Sequence, residues 1–226
     1  ARYCKRIVDE FGLDGIDMDW EYPSSSEAGI SSSPDDIDNF TLLMKELRQV
    51  LGKNKLLTMA TICTAKFIDF RNVLQYMDLV NVMSYDMSDP NKAHHAALYP
   101  SPISGYCTGS EAVEAHLKAG VPKDKLVMGV PFYGKGNSED PGIRLFLETG
   151  TLPEGYQDCW SEDGQVPYIV NGKGEFLWGY ENVRSLTAKC KYITDNGLRG
   201  GMYWEYSVDT PQGERRNTIW RNLITP

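Results

Sequence analysis

Residues 14–23 read DGIDMDWEYP and alternate acidic with apolar side chains. In an extended strand, every second side chain lies on the same face. One face of this segment is acidic and carries Asp17, Asp19 and Glu21. The other face is apolar and carries Ile16, Met18 and Trp20. The segment therefore predicts a strand over residues 14–20 that buries one face and aligns three carboxylates on the other.

The position of this strand in a sheet decides what the acids can do. In a parallel sheet the helix that follows a strand covers its apolar face, so we expect the acidic face to point inward and to be partly buried. Carboxylates that share a site of low dielectric cannot all ionise, so at least one pKa must rise. Glu21 comes last, at the carboxyl end of the strand where a substrate can reach it, and a retained proton would make it a general acid.

Two other interpretations of the acidic row stay open. An amphipathic edge strand would leave its acids in solvent, and closely spaced carboxylates also suit a hard cation. The segment continues into Trp20, Tyr22 and Pro23 with no basic residue among the acids, which disfavours the edge strand. The spacing does not decide against the cation.

The rest of the chain alternates short β-rich runs with helical patterns, which is typical of an α/β protein with a parallel sheet. Further strands are predicted at residues 56–62, 79–84, 126–131 and 200–204. Helices are predicted at residues 3–10, 34–51, 67–76, 111–119, 181–195 and 215–223. A doubly wound sheet usually carries a glycine-rich phosphate loop after its first strand, and this sequence has none. The remaining solution is part of a TIM barrel, the (β/α)8 fold.

A single domain is predicted for residues 1–226, with one interruption. Residues 137–177 are rich in Gly and Pro and break the alternation of strands and helices. They predict a small loop insertion that carries a hairpin, with VPYIV at residues 166–170 as one of its strands.

Composition excludes two broad classes of function. The 226 residues include 31 acidic and 23 basic side chains, for a formal net charge of −8, so the electrostatic footprint of a nucleic-acid-binding protein is missing. No apolar run reaches the roughly 18 residues that a membrane span needs.

The cysteines and histidines do not predict a metal site. The five cysteines have no CxxC spacing and their number is odd, so neither a zinc site nor a disulfide framework is expected. His94 and His95 are adjacent in a predicted loop and lack a third ligand at useful spacing, so we expect them to be solvated. We predict no metal and no cofactor.

Several segments together resemble glycoside hydrolase family 18, the chitinases and their relatives. DGIDMDWEYP is similar to the family's signature on the fourth barrel strand, with every acid in place. Later segments match in the family's order: VMSYDM at residues 82–87, GVPFYG at 129–134, YENVRSLTAK at 180–189 and GGMYWEYSVD at 200–209. The resemblance covers essentially the whole chain and implies a TIM barrel of glycosidase type, in a protein that is secreted or periplasmic.

The resemblance also indicates which part of the barrel is absent. Residues 1–12 are similar to the family's third helix, so strands one to three have no counterpart and about five eighths of a barrel remain. An incomplete barrel leaves two open sheet edges. We therefore expect either a longer native protein, whose preceding segment covers these edges, or self-association of the chain. Since the absent strands would supply part of the cleft wall, the chain alone could be inactive.

Family membership would imply hydrolysis of β-1,4-linked N-acetylglucosamine polymers, chitin or its oligosaccharides, by a retaining, substrate-assisted mechanism. By this resemblance Glu21 is the general acid and base. Asp19 orients the substrate's acetamido group, Asp17 shares a proton with Asp19, and Tyr85 donates a hydrogen bond to the acetamido oxygen. Asp14 is expected to have a structural role at the start of the strand.

The same resemblance implies which residues bind the sugar. Trp204 would form the floor beneath the cleaved unit. The other residues expected along the cleft are Met83, Asp86, Tyr22 and Tyr133. Family members often carry arginine after the seventh-strand motif, where this chain has Lys135, so the polar contact made from that position is left open.

Two other functions are compatible with the same fold. The first is a non-catalytic, lectin-like chitin-binding protein, in which the proton donor is typically replaced, whereas Glu21 is present here. The second is an endo-β-N-acetylglucosaminidase that acts on glycoproteins. In each case the expected partner is a carbohydrate, not a nucleic acid or a membrane.

Overall fold

The computed structural model describes residues 1–89 and 92–224, and its centre is a parallel sheet. The five strands are β1 (Gly15–Met18), β2 (Leu56–Ile62), β3 (Leu79–Met83), β4 (Leu126–Pro131) and β9 (Gly200–Trp204). Each pairs in parallel with the next, in the order β1-β2-β3-β4-β9. This arrangement confirms the predicted α/β fold, with part of a barrel.

The first strand is shorter than predicted, and this matters for the site. It ends at Met18, so Asp19 and Glu21 lie in the loop beyond it. Its other end needs a glycine, because a Cβ at Gly15 would lie 2.0 Å from the carbonyl oxygen of Leu56 on β2. The close pairing of β1 with β2 therefore fixes the position of the loop that begins at Asp19 and carries the two acids.

Helices connect the strands and cover one face of the sheet. The long helices are α1 (Arg2–Phe11), α2 (Asp36–Leu51), α4 (Gly109–Lys118), α6 (Val183–Asp195) and α7 (Glu214–Leu223). The helix predicted over residues 67–76 is wrong in extent, since only the single turn α3 (Phe70–Val73) forms. Phe67 has a positive φ of 68°, which is incompatible with a right-handed helix, and the Asp69 carboxylate accepts a hydrogen bond from the Asn72 amide at the start of the turn.

The apolar core lies between the sheet and these helices. From α2 it receives Phe40, Met44 and Leu47, which are fully buried at helical spacing. The sheet contributes Leu57, Met59, Val80, Val82 and Met128. The apolar face of residues 16–20 packs against this cluster, as the alternation of that segment predicts.

The insertion is larger and more regular than the expected loop with a hairpin. It contains the helix α5 (Pro141–Thr149) and four antiparallel strands: β5 (Lys135–Gly136), β6 (Gln157–Ser161), β7 (Val166–Val170) and β8 (Phe176–Gly179). Their order is β5-β8-β7-β6, so the hairpin exists as β6 and β7 within a sheet of its own. A separate cluster of buried residues supports this sheet: Ile143, Ile169, Leu177 and Trp178.

None of the helices within the described residues is long and apolar enough to cross a membrane.

Candidate active site

The parallel strands bring most of the predicted site residues to one edge of the sheet, at the carboxyl ends of β1, β3, β4 and β9. A cavity of about 250 Å³ opens there. It is lined by Asp19, Glu21, Tyr22, Ile62, Cys63, Met83, Tyr85, Asp86, Tyr106, Tyr133 and Trp204. The carboxyl ends of parallel strands are where barrel active sites are built, so this cavity is the candidate site.

Asp17 and Asp14 do not line the cavity, and their contacts lie within the sheet. Asp17 Oδ1 accepts a hydrogen bond from Thr58 Oγ1 on β2 and another, at 3.0 Å, from Asn81 Nδ2 on β3. Asp14 precedes β1, and its backbone carbonyl accepts a hydrogen bond from the Leu56 amide at 2.8 Å. Asp17 therefore links three neighbouring strands beneath the acids of the loop.

The pKa of Asp19 is raised above its ordinary value. Partial burial raises the pKa of Asp19 most, and the carboxylates of Glu21 and Asp17 raise it further. Asp19 lies between the other two acids in the sequence, so both of their charges act on it. The acids are less enclosed than expected: Asp17 is exposed and Asp19 is only partly buried, because the five strands do not close and leave the inner face of the sheet accessible.

Tyr85 approaches the acids from the end of β3. Burial raises the pKa of its hydroxyl, and the carboxylates of Asp19 and Asp86 raise it further, so the group remains a hydrogen-bond donor. The hydroxyl lies 3.9 Å from Met202 Sδ. The ring needs the space left by Gly129 on β4, where a Cβ would lie 2.9 Å from Tyr85 Cε1.

Asp86 is held by donors from two other segments. Its Oδ1 accepts a hydrogen bond from the Tyr133 hydroxyl at 2.8 Å and forms an ion pair with Lys135 Nζ at 2.7 Å. Burial alone would raise the pKa of Asp86, but the contacts with His95, Lys135 and Tyr133 outweigh it and hold this pKa below its usual range. Lys135 thus does make a polar contact from the position that the sequence leaves open.

The prediction that His94 and His95 are solvated is wrong, since both are fully buried. Their rings stack at 5.8 Å with an interplanar angle of 4°, and burial lowers the pKa of each. His94 Nε2 donates to the Pro167 carbonyl at 2.9 Å, and His94 Nδ1 accepts from the Ala96 amide at 3.2 Å. Pro167 belongs to the insertion, which therefore covers a loop that looks exposed in the sequence.

The aromatic residues of the site have both apolar and polar contacts. Trp204 ends β9 with 56% of its surface exposed at the cavity. Tyr22 stacks on Phe67 at 5.8 Å, and burial together with a hydrogen bond to Glu21 raises the pKa of Tyr22. The peptide bonds Glu21–Tyr22 and Trp204–Glu205 are cis.

Three cavity residues were not identified from the sequence: Ile62, Cys63 and Tyr106. Ile62 and Cys63 stand at the carboxyl end of β2, so their place after a predicted strand could have identified them. Tyr106 comes from a loop without a sequence signal, and its hydroxyl lies 3.9 Å from Cys63 Sγ. A hydrogen bond with Cys107 lowers the pKa of the Cys63 thiol.

Within residues 1–89 and 92–224, the structure contains no group of three or more His, Cys, Asp or Glu side chains that could hold a metal ion.

The chain is similar over most of its length to curated chitinases. It is 31% identical to Chitinase A1 of Niallia circulans over 260 aligned residues, which cover 95% of this chain and 36% of that protein. It is 26% identical to Chitinase B of Serratia marcescens, with 95% of this chain and 58% of that protein covered. The chain thus spans less than two thirds of the length of either relative.

Solved structures show the same fold. The chitinase ChiW of Paenibacillus sp. str. FPU-7 superposes with a TM-score of 0.86 at 31% identity, covering 98% of this chain and 29% of that chain. A glycoside hydrolase family 18 N-acetylglucosaminidase from Paenibacillus barengoltzii superposes with a TM-score of 0.85 at 29% identity. The superposition covers 98% of this chain and 74% of that chain. The family model described as glycosyl hydrolases family 18 matches residues 1–209, a range that contains every residue lining the cavity. On this match the chain belongs to glycosyl hydrolases family 18.

Proposed function

We propose that this chain carries the catalytic site of a retaining chitinase, which hydrolyses β-1,4-linked N-acetylglucosamine polymers with Glu21 as general acid and base. One observation carries the proposal: a single cavity brings Glu21, Asp19 and Tyr85 together with the exposed ring of Trp204. An aromatic face beside a proton donor suits a sugar ring presented for cleavage. The names of the relatives, Chitinase A1 and Chitinase B, support the substrate class.

The proposed reaction uses the substrate's own acetamido group as the nucleophile. Glu21 gives its proton to the glycosidic oxygen while the acetamido carbonyl oxygen attacks the anomeric carbon and the glycosidic bond breaks. The product of this step is a cyclic oxazolinium ion. Glu21, now a carboxylate, removes a proton from water as the water attacks the same carbon, so two inversions retain the configuration.

The neighbouring residues have roles that follow from their protonation. Asp19 accepts a hydrogen bond from the acetamido nitrogen and stabilises the positive charge that develops there, which requires the proton of Asp19 to move to Asp17. The raised pKa of Asp19 is consistent with a proton held near that pair. Tyr85 donates to the acetamido oxygen. Met83, Asp86, Tyr22 and Tyr133 line the path of the sugar chain.

Turnover of a fluorogenic chitobioside tests the proposal, measured for this chain and for any longer native form of it. Glu21→Gln should lose about 10²–10⁴-fold in kcat, because the amide cannot transfer the proton. Equal turnover by wild type and Glu21→Gln would contradict the assignment of Glu21. A rate that appears only in the longer form would locate the missing part of the cleft outside this chain.

Deacetylated polymer provides the control for the mechanism. It lacks the acetamido oxygen, so it should bind but should not be cut, and efficient cleavage would refute the substrate-assisted step. A chain that binds the acetylated oligosaccharide with no turnover in any form would be a lectin-like protein. Release of glycans from glycoproteins, without cleavage of chitin oligosaccharides, would instead indicate the endoglycosidase.

A further inference from the structure

Two cysteines meet at the wall of the cavity, and neither has a role in the proposed reaction. Cys63 directly follows β2 and lines the cavity, while Cys107 lies in the loop that precedes α4. Both side chains belong to the main apolar cluster, and their thiols are hydrogen-bonded to each other. The fold therefore brings together two free thiols that are distant in the sequence.

The loop that carries Cys107 is fixed on both sides of this residue. On one side, the Tyr106 amide donates to the Met87 carbonyl at 2.8 Å. On the other side, the Gly109 amide donates to the Ala97 carbonyl, also at 2.8 Å. The backbone therefore has little freedom to carry this thiol away from its neighbour.

The strand that carries Cys63 is fixed against the same helix. Thr61 Oγ1, near the end of β2, donates to His116 Nε2 on α4 at 2.8 Å. Cys63 comes two residues after Thr61, and Cys107 comes two residues before the first residue of α4. The two sulfurs are thus held in contact by bonds that do not involve the thiols themselves.

The two thiols differ in how readily they ionise. Hydrogen bonds with Cys107 and Tyr106 outweigh the effect of burial and lower the pKa of the Cys63 thiol. The Tyr106 hydroxyl lies 3.9 Å from Cys63 Sγ. The hydrogen bond with Cys63, together with burial, raises the pKa of the Cys107 thiol. Because the thiolate is the reactive form of cysteine, Cys63 reacts first and Cys107 follows as its partner.

A small oxidant can reach Cys63 through the cavity. Cys63 exposes only 1% of its surface, which excludes bulky reagents. It stands at the wall of a cavity of about 250 Å³, which has room for several molecules of the size of water. Tyr106, beside the thiol, is 67% exposed, so solvent reaches the immediate surroundings of Cys63. Hydrogen peroxide is therefore an oxidant that fits this site, whereas a peptide disulfide does not.

We propose that Cys63 and Cys107 are a site of reversible oxidation, where hydrogen peroxide converts the two thiols into a disulfide at the cavity wall. The Cys63 thiolate attacks one peroxide oxygen, the O–O bond breaks, and a sulfenic acid and hydroxide form. The Cys107 sulfur then attacks the sulfenic sulfur, and the S–O bond breaks. The departing hydroxide takes the Cys107 proton. In sum, two thiols are oxidised and one peroxide is reduced to two molecules of water.

The disulfide fastens the loop of Tyr106 to the end of β2. It closes a long stretch of chain between residues 63 and 107, which restricts the unfolded chain and stabilises the folded one. The oxidised chain should therefore have a Tm higher than that of the reduced chain by at least about 4 °C. Dithiothreitol should reverse this rise.

Peptide mapping of the folded chain tests the proposal without any turnover, so its result is independent of the proposed function. Trypsin places the two cysteines in separate peptides, residues 56–66 and 93–118, with one cysteine each. After treatment with hydrogen peroxide, alkylation of the remaining thiols and digestion without reductant, we expect the two peptides to be joined by a disulfide. Peptides that stay unlinked, with Cys63 either unreacted or oxidised to a sulfinic acid, would overturn the proposal.

Variants separate this pair from the other cysteines. Cys190→Ala is the matched control, because Cys190 is as buried as Cys63 but lies on α6, where burial raises its pKa to about 11. It should form the same linked peptides and show the same rise in Tm. Cys107→Ala should lose both, and a rise in Tm that persists in this variant would contradict the assignment. If Cys107→Ala fails to fold, the peptide map of the wild type still decides.

Discussion

Asp19 shows how a residue suited to catalysis can destabilise the fold that holds it. Partial burial, Glu21 and Asp17 all raise its pKa above the ordinary value of 3.8, so the folded chain binds this proton more tightly than the unfolded chain. Stability is therefore lost as the pH rises from 3.8 through the pKa of the folded state. Below 3.8 both states are protonated and the repulsion is absent.

We predict that Asp19→Asn raises the Tm at pH 7 and abolishes most of the activity. The gain in the free energy of unfolding should be less than about 1 kcal/mol, because solvent screens the repulsion between accessible carboxylates. The Tm of the variant and of the wild type should be compared at pH 7 and at an acidic pH below the ordinary pKa of Asp19. The difference in Tm should disappear at the acidic pH. Asp124→Asn, an exposed acid that does not line the cavity, is the control. The prediction fails if both variants shift the Tm at pH 7 equally.

At the scale of elements, the contact between α4 and β2 depends on one buried histidine. His116 Nδ1 donates to the Ala112 carbonyl at 2.7 Å, and Nε2 accepts from Thr61 Oγ1 at 2.8 Å. The ring also meets Phe70 edge-on at 5.5 Å. Both nitrogens are used by a neutral ring, and burial lowers the pKa of His116 from 6.5 to about 4.

This histidine should make the fold sensitive to acid. As the pH falls from 6.5 to about 4, His116 becomes protonated in the unfolded chain but stays neutral in the folded chain. The free energy of unfolding should therefore fall by about 3 kcal/mol over this range. Urea denaturation at a series of pH values measures this slope. His116→Gln should make the free energy of unfolding depend less steeply on pH. Part of the dependence should remain, because burial also lowers the pKa values of His94 and His95. An unchanged slope in His116→Gln would show that His116 is not the cause.

The elements themselves were predictable to different degrees. The bounds of β2, β4 and β9 agree with the sequence prediction, because short apolar runs between turn residues define a buried parallel strand locally. The sequence could not predict that the helix over residues 67–76 is reduced to a single turn. The apolar spacing of this segment is helical and gives no sign of the positive φ at Phe67. Strands β6, β7 and β8 pair in chain order, whereas β5 pairs with the distant β8, and this long-range pairing was not predictable from the local pattern.

The whole molecule has an open sheet, with β1 at one edge and β9 at the other. Near the first edge, Phe11 is 68% exposed and Leu13 is 40% exposed. Strand edges with free backbone groups and nearby apolar side chains pair with other chains unless something covers them.

We therefore predict that this chain, expressed alone, self-associates as its concentration rises. Sedimentation equilibrium over a wide range of concentration measures the association. The double variant Phe11→Lys and Leu13→Lys should weaken it, because charge next to an edge opposes pairing. A single monomeric species at every concentration would contradict the prediction.

By itself the sequence determined the parallel α/β fold, the place of the acids at a strand end, and eight of the eleven residues that line the cavity. The fold and the two acids Asp19 and Glu21 follow from side-chain periodicity and from the order of segments along the chain, which are local properties. The other six cavity residues were named only by the resemblance to glycoside hydrolase family 18. Only the tertiary structure decided that the pKa of Asp19 is raised, that His94 and His95 are buried, and that Tyr106 reaches the cavity. Burial and pKa depend on which distant residues come into contact, and no local pattern encodes that contact.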